Sequence, residues 1–227
     1  MPLDVSLVQA VCFDVDGTLR DTDDQWVERL AQLLRPMAVF LGRRDARKFA
    51  RKLVMSMEDP GNLAYHLADR LGIDNLAAKI LRPWGKRRSR SSHKIHPMIP
   101  GTQEALSKLH RRYPLAIVSA RGESETRAFL DAHQLTPLFQ IIVAGQTCRH
   151  TKPYPDPVLW AAQQMNLPPS ACLMVGDTTV DIRAGKTAGA QTVGVLCGFG
   201  EEAELRRAGA DLILNSTSEL LDYLNLT

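Results

Sequence analysis

The chain has 227 residues, of which 44% are hydrophobic and 23% are charged, and its formal net charge is +3. This composition is typical of a globular protein and excludes a disordered or fibrous one. Apolar runs such as LAIV at 115–118 are far shorter than the about 20 residues that cross a bilayer, so no membrane span is expected. The first residues lack the basic start and apolar stretch of a signal peptide, which predicts a cytoplasmic location.

The four cysteines are widely scattered, at Cys12, Cys148, Cys172 and Cys197. This spacing argues against a zinc site and against a disulfide framework. Cys12 and Cys172 fall inside predicted strands, where a cysteine behaves as a small apolar side chain, so we expect both in the core.

Six short apolar runs, each followed by turn residues, predict the strands of one sheet. Their near-continuous hydrophobicity is typical of strands that are buried on both faces of a parallel sheet, and helical patterns lie between them. We therefore expect an α/β core domain with an open, doubly wound parallel sheet, formed by residues 1–21 and 98–227. In chain order the runs are 10–15, 115–119, 141–145, 171–177, 192–196 and 211–216.

The first run ends in two carboxylates, Asp14 and Asp16, and Gly17 and Thr18 follow at once. Ligands of open α/β sheets bind beyond the carboxyl ends of the strands, so both carboxylates lie where a ligand is expected. Carboxylates held close together repel one another unless they share a proton or a cation, and Mg²⁺ prefers such oxygen ligands. An acidic turn is the alternative, since Asp-Gly is a common turn pair.

Residues 22–97 contain no comparable strand run, and their apolar residues recur at the three- and four-residue steps of helices. We expect an all-helical insert of about four helices here, which returns to the core at Pro97, Pro100 and Gly101. The insert holds 16 Lys and Arg against 8 Asp and Glu, which leaves 12 against 17 for the rest of the chain. Its densest basic stretch, KRRSRSSHK at 86–94, indicates either a solvated loop or a surface that attracts an anionic ligand.

Two candidate phosphate-binding residues follow the insert. Ser119 ends the second predicted strand, and a helical pattern begins directly after it, so its hydroxyl and nearby backbone N–H groups could hold an anion. Lys152 lies in HTKPYPDP, where three prolines should stiffen the loop around its ammonium group.

A second acidic cluster follows the fourth predicted strand, in LMVGDTTVDI at 173–182. Asp177 comes directly after the apolar run and Asp181 four residues later, so both can face the same side of an opening helix turn. A carboxylate from this strand end is thus available for the same cation as the first pair.

These motifs, taken in order, resemble those of the haloacid dehalogenase-like (HAD) hydrolase superfamily, in its phosphatase branch. DVDGT at 14–18 matches the first motif, Ser119 the second, Lys152 the third and GDTTVD at 176–181 the fourth. The helical insert at 22–97 is similar to the C1 cap domain of this superfamily. The pattern as a whole is closest to phosphoglycolate-phosphatase-like members, which implies a Rossmann-like core and a small phosphorylated metabolite as substrate.

The resemblance implies a role for each matched residue. Asp14 would attack phosphorus, and Asp16 would protonate the leaving oxygen and then activate water. Mg²⁺ would be held by the Asp14 carboxylate, the Asp16 backbone carbonyl and Asp177, with Asp181 and Thr18 supporting these ligands.

The remaining matches concern the transferred phosphoryl group, which Ser119, Ala120 and Lys152 would bind. In the superfamily, members that dehalogenate lack an acid at the position of Asp16, so the resemblance favours phosphoryl transfer. A phosphosugar mutase of the same superfamily is one alternative. A non-catalytic module that binds through the basic insert is another, although no aromatic residue interleaves with 86–94, so nucleic acid is not expected.

Overall fold

The computed structural model describes residues 3–21 and 97–226. These residues belong to one of the two units into which the chain divides, the unit formed by residues 1–22 and 95–227. The predicted helical insert at 22–97, apart from Pro97, and the basic stretch at 86–94 lie outside the described residues, so both remain predictions. No helix in the described part is long and apolar enough to cross a membrane.

Six strands form one sheet in the described residues, in the order β3-β2-β1-β4-β5-β6, and every neighbouring pair is parallel. Each strand overlaps one of the six apolar runs, which confirms the predicted doubly wound parallel sheet. The strands are β1 (Ala10–Phe13), β2 (Leu115–Val118), β3 (Ile141–Val143), β4 (Cys172–Gly176), β5 (Gln191–Val195) and β6 (Leu212–Leu214).

Helices connect the strands, and those of the described residues are numbered here in chain order. They are α1 (Thr102–His110), α2 (Glu123–Ala132), α3 (Asp156–Gln164), α4 (Thr179–Ala188), α5 (Glu202–Ala208) and α6 (Leu220–Tyr223). Short 3₁₀ turns lie at Val5–Leu7, Thr136–Leu138, Pro169–Ala171 and Thr217–Glu219.

The core lies on both faces of the sheet, because successive side chains of a strand point to opposite sides. In β1, Val11 and Phe13 join an apolar cluster that includes residues of α1, α2 and α6. Ala10 and Cys12 join a second cluster, which includes residues of α3 and α4. Cys12 and Cys172 are fully buried, as predicted.

The strand order changes direction between β1 and β4, which are hydrogen-bonded neighbours. In open α/β sheets ligands bind in the crevice at such a switch point, beyond the carboxyl ends of the strands. Asp14 follows the last residue of β1, and Asp177 follows the last residue of β4. Phe13 of β1 pairs with Val175 of β4, so the two strands end almost level with one another. The fold therefore brings the two acidic motifs to the same crevice.

The chain leaves and re-enters this unit at adjacent points. The backbone N–H of Asp21 donates to the carbonyl of Pro97 at 2.9 Å, and that of Ile99 donates to the carbonyl of Leu19 at 3.0 Å. The described residues on either side of the segment 22–96 are therefore next to one another.

Candidate active site

Lys152 contacts two carboxylates that are far from it in sequence. Its Nζ donates to Asp14 Oδ1 at 2.5 Å and to Asp181 Oδ1 at 2.6 Å. All three side chains are buried, with exposed fractions of 3% for Lys152, 10% for Asp14 and 1% for Asp181. Burial alone would lower the pKa of Lys152, but the two carboxylates outweigh it and raise that pKa, so the lysine stays charged.

Asp177 completes a compact acidic group with Asp14 and Asp181, in which one carboxylate oxygen of each lies within 4.8 Å of the others. Burial raises the pKa of Asp14 to about 7; Lys152 opposes this rise, and the neighbouring Asp181 and Asp16 add to it. Lys152 contacts two members of this group, Asp14 and Asp181. Three buried carboxylates beside one lysine leave an excess of negative charge.

This excess fits a divalent cation. All three candidate ligands are carboxylates, the hard oxygen ligands that Mg²⁺ prefers. Burial and, to a smaller extent, neighbouring carboxylates raise the pKa of Asp14, and a bound cation would oppose both effects by stabilising the ionised form. The residues that the structure brings together therefore agree with a magnesium site.

Asp177 is oriented by backbone that folds tightly around it. The N–H of Phe199, in the loop after β5, donates to Asp177 Oδ2 at 2.7 Å, and Thr18 Oγ1 lies 3.5 Å from Asp177 Oδ1. A side chain at Gly17 would clash, because a Cβ there would lie 2.2 Å from Asp177 Oδ2. The same holds for Gly198, whose Cβ would lie 2.1 Å from that oxygen.

Asp181 is held by the first turn of α4 as well as by Lys152. The backbone N–H of Thr178 donates to Asp181 Oδ2 at 3.0 Å, and Thr178 Oγ1 donates to the same oxygen at 2.6 Å. This arrangement is a capping box at the start of the helix. Both carboxylate oxygens thus have partners, which suits a residue that supports the metal ligands.

The Asp16 carboxylate is not part of the acidic group formed by Asp14, Asp177 and Asp181. The alternation of a regular strand would direct the side chains of Asp14 and Asp16 to one face. The Nε of Arg121 donates to Asp16 Oδ2, and Arg20 Nη1 lies 3.6 Å from Asp16 Oδ1. The chain turns directly after Asp16, at Gly17, which has a φ of +76°. Asp16 is therefore beside Asp14 but faces two guanidinium groups.

The second motif lies at the end of β2, the strand next to β1 on the opposite side from β4. Ser119 is buried, and its Oγ accepts a hydrogen bond of 3.1 Å from the N–H of Arg121, whereas Ala120 is exposed. Both residues are at the same edge of the sheet as Asp14. Their binding of a phosphoryl group remains a prediction.

Three contacts of the site were missed by sequence reasoning: the two arginines beside Asp16 and the N–H of Phe199. Arg121 carried a signal, because it follows Ser119 by two residues at a strand end. Phe199 lies between Gly198 and Gly200 after the fifth strand, and such glycines often mark a close approach of the backbone. Arg20 carried no comparable signal.

The model of the family described as haloacid dehalogenase-like hydrolase matches residues 11–195. The chain belongs to this family. Among curated proteins, this chain is similar to a phosphoglycolate phosphatase of Nitrosococcus oceani, with 28% identity over 229 residues that cover 96% of each protein. It is also similar to a phosphoglycolate phosphatase of Aquifex aeolicus, with 36% identity over 132 residues that cover 58% of this chain and 60% of that protein.

Solved structures agree with the HAD fold. A hydrolase from Pseudomonas syringae superposes with a TM-score of 0.69 at 26% identity and covers 96% of this chain and 98% of that one. A protein described as a putative beta-phosphoglucomutase from Thermotoga maritima superposes with a TM-score of 0.64, over 96% and 99% of the two chains. Its identity of 22% supports the fold alone.

The family and these relatives confirm the predicted resemblance to HAD phosphatases and the prediction that the chain is a phosphatase enzyme. The match to the Nitrosococcus oceani protein extends along 96% of the chain, so the likeness is not limited to the motifs.

Proposed function

We propose that this chain is a magnesium-dependent phosphatase that hydrolyses a small phosphomonoester through an aspartyl-phosphate intermediate on Asp14. The observation that carries the proposal is the position of Asp14 at the end of β1, in contact with Lys152 and within one buried acidic group with Asp177. A nucleophile, a fixed positive charge and a set of hard ligands are thus together in one crevice. Phosphoryl transfer needs little else.

In the first step, an oxygen of the ionised Asp14 carboxylate attacks phosphorus while the bond from phosphorus to the ester oxygen breaks. Asp16 passes its proton to that departing oxygen as general acid, so the alcohol leaves neutral. The products of this step are the free alcohol and an acyl phosphate on Asp14. Splitting one displacement into two in this way lowers the barrier of each.

In the second step, water attacks the phosphorus of the acyl phosphate, and the Asp16 carboxylate takes the proton that this water loses. The bond from phosphorus to Asp14 breaks, inorganic phosphate leaves, and both aspartates return to their starting states. Arg121 holds the Asp16 carboxylate in position for this second step by a hydrogen bond, and Arg20 adds a positive charge 3.6 Å away.

Charge neutralisation is divided among several groups. Lys152, which is buried against Asp14, lies where it can offset the negative charge of a transferring phosphoryl group, and Ser119 with the backbone at Ala120 would bind its oxygens. Asp14, the Asp16 backbone carbonyl and Asp177 would hold Mg²⁺, which supplies further charge neutralisation when bound. Asp181 and Thr18 keep Lys152 and Asp177 in place.

The substrate is proposed to be a small phosphorylated metabolite, since the similar curated proteins are phosphoglycolate phosphatases. A cytoplasmic location fits such a substrate. A phosphosugar mutase would use the same first step and differ only in passing the phosphoryl group to a sugar phosphate instead of water. No contact among the described residues favours that alternative over hydrolysis.

The proposal is tested by measuring inorganic phosphate released from a panel of phosphorylated metabolites, including 2-phosphoglycolate, with Mg²⁺ present. We expect turnover of at least one small phosphomonoester by the wild-type protein and none by the Asp14→Asn variant. Isomerisation of a sugar phosphate without phosphate release would favour the mutase. Activity of Asp14→Asn equal to that of the wild type would contradict the mechanism.

A further inference from the structure

Two guanidinium groups converge on the single carboxylate of Asp16 from different loops. Arg121 follows β2, and its Nε donates to Asp16 Oδ2. Arg20 follows β1, and its Nη1 lies 3.6 Å from Asp16 Oδ1. Glu125 is a weaker counter-charge, because it lies 3.3 Å from Arg121 and its side chain is 60% exposed. Two guanidinium groups, one buried and one partly exposed, therefore face the single buried carboxylate of Asp16.

Arg20 is buried without adequate partners among the described residues. Only 7% of the residue is exposed, its Nε has no hydrogen-bond partner, and Asp16 Oδ1 has none either. The 3.6 Å separation between Arg20 and Asp16 is too long for a hydrogen bond. A buried donor that is left unpaired costs free energy. Such a donor in a folded protein is usually satisfied by an ordered water or by a bound ligand. Burial also lowers the pKa of Arg20, and Asp16 opposes that change.

Arg20 and Arg121 both lie beside Asp16, so the role of Asp16 in the reaction shows which part of the substrate the two arginines face. In the proposed mechanism Asp14 attacks phosphorus and Asp16 protonates the ester oxygen that departs. Attacking and leaving oxygens lie on opposite sides of phosphorus in phosphoryl transfer. Substituents of the leaving group must therefore extend past Asp16, towards the groups that surround it.

We propose that Arg20 and Arg121 together bind a carboxylate on the leaving group, so that the enzyme selects phosphomonoesters of small hydroxy acids. This inference rests on the proposed phosphatase function and names its substrate class. A guanidinium presents its N–H donors in a planar fork that matches a carboxylate, and the unpaired Nε of Arg20 supplies a donor for it. These arginines belong to the described core, so the proposed selectivity does not depend on the basic stretch at 86–94.

The test compares three substrates with the same two-carbon leaving group and different charge. These are 2-phosphoglycolate, ethyl phosphate and phosphoethanolamine, whose leaving groups are anionic, neutral and cationic. We expect wild-type kcat/KM to be highest for 2-phosphoglycolate. In Arg20→Gln, kcat/KM for 2-phosphoglycolate should fall by about tenfold to a hundredfold more than for ethyl phosphate, mainly through KM, as expected for a lost hydrogen bond to a charged group.

Two further variants sharpen the comparison. Arg20→Lys keeps the charge but not the planar fork, so it should recover part of the preference for 2-phosphoglycolate. Arg127→Gln removes an arginine from the same helix as Glu125, where Arg127 is 49% exposed and pairs with Glu123, and it should leave the order of the three substrates unchanged.

Equal losses on all three substrates in Arg20→Gln would overturn the inference, because they would mean that Arg20 acts only on Asp16. If Arg20→Gln does not fold, inhibition of the wild-type enzyme decides the matter: glycolate should inhibit at a concentration at least tenfold lower than glycolamide, and equal inhibition would overturn the inference. These outcomes differ from failure of the proposed function, in which the wild-type protein releases phosphate from no substrate.

Discussion

Lys152 and Asp14 are 138 positions apart in the sequence, and their side chains meet in a buried contact of 2.5 Å. The same ammonium group reaches Asp181. One lysine thus links the first motif, at the end of β1, to the last one, at the start of α4. Lys152 should therefore contribute both to the stability of the folded protein and to the proposed reaction, because its removal would leave two buried carboxylates without a positive partner.

We expect Lys152→Met to lose both activity and stability. Loss of one charge-stabilising group typically lowers kcat by 10²–10³-fold, and breaking a buried ion pair costs about 3–5 kcal/mol. The stability loss should be greater at pH 8 than at pH 5, because the carboxylates left without the lysine can take up protons at the lower pH. Urea unfolding at both pH values, beside phosphate release, measures these effects.

The matched control is Lys186→Met, which removes a lysine that is 38% exposed and pairs with Asp211 at 2.8 Å. Asp211 keeps hydrogen bonds from the backbone N–H and the hydroxyl of Thr192. This variant should lose less stability and no activity. Equal effects of the two substitutions would contradict the central role of Lys152.

Asp14→Asn and Asp16→Asn should fail at different points of the reaction. Asp14→Asn removes the nucleophile, so neither turnover nor a phosphorylated protein is expected. Asp16→Asn keeps the nucleophile and removes the general acid and base, so turnover should fall by about 10²–10⁴-fold. Mass spectrometry of acid-quenched protein after addition of substrate would detect the phosphoenzyme. A phosphate group on the Asp14→Asn protein would show that another residue is the nucleophile.

Binding of Mg²⁺ should stabilise the protein, and the effect should depend on pH. A ligand that binds only the folded state raises Tm, and the cation must displace the proton from Asp14, whose pKa burial raises to about 7. Asp14 is mostly protonated below that pKa and ionised above it. The increase in Tm at a fixed Mg²⁺ concentration should therefore be larger at pH 8 than at pH 6.

Thermal unfolding with and without Mg²⁺ measures this directly, and activity should vanish in a chelator and return with Mg²⁺. Ca²⁺ should support activity poorly, because its larger coordination shell disturbs the geometry of the site. Asp177→Asn is the matched variant and should lose most of the Mg²⁺-dependent increase in Tm. Full turnover in the chelator would refute the magnesium site.

Gly17 and Gly189 offer a test of how tightly the chain is folded around Asp177. Both have positive φ, +76° and +84°, so an alanine at either position carries backbone strain of about 1–2 kcal/mol. Only at Gly17 would the new Cβ also meet a carboxylate, 2.2 Å from Asp177 Oδ2, whereas nothing lies within 4 Å at Gly189. We expect Gly17→Ala to cost more stability than Gly189→Ala and to abolish the response to Mg²⁺.

Gly189→Ala is the control for Gly17→Ala. Gly189→Ala should keep wild-type activity and the full Mg²⁺-dependent increase in Tm, since Gly189 lies at the far end of α4. If both variants lost the same stability and bound Mg²⁺ normally, Asp177 would have more freedom than the structure indicates.

The sequence alone predicted the sheet and the edge of the sheet at which the acidic motifs of the candidate site meet. The six apolar runs are local signals, because a strand buried on both faces must be apolar at nearly every position, and each run became a strand. The acidic motifs directly follow two of those runs, so the rule that ligands bind beyond strand ends located them without any knowledge of tertiary contacts.

The partners of each site residue were decided by tertiary structure. The turn at Gly17 ends the strand alternation that would direct Asp14 and Asp16 to one face, and Arg121 reaches Asp16 across 105 positions of sequence. Phe199 likewise reaches Asp177 only because β5 lies beside β4. Periodicity and motif spacing describe near neighbours along the chain, whereas these hydrogen bonds depend on strand order and on how each loop turns at the end of its strand.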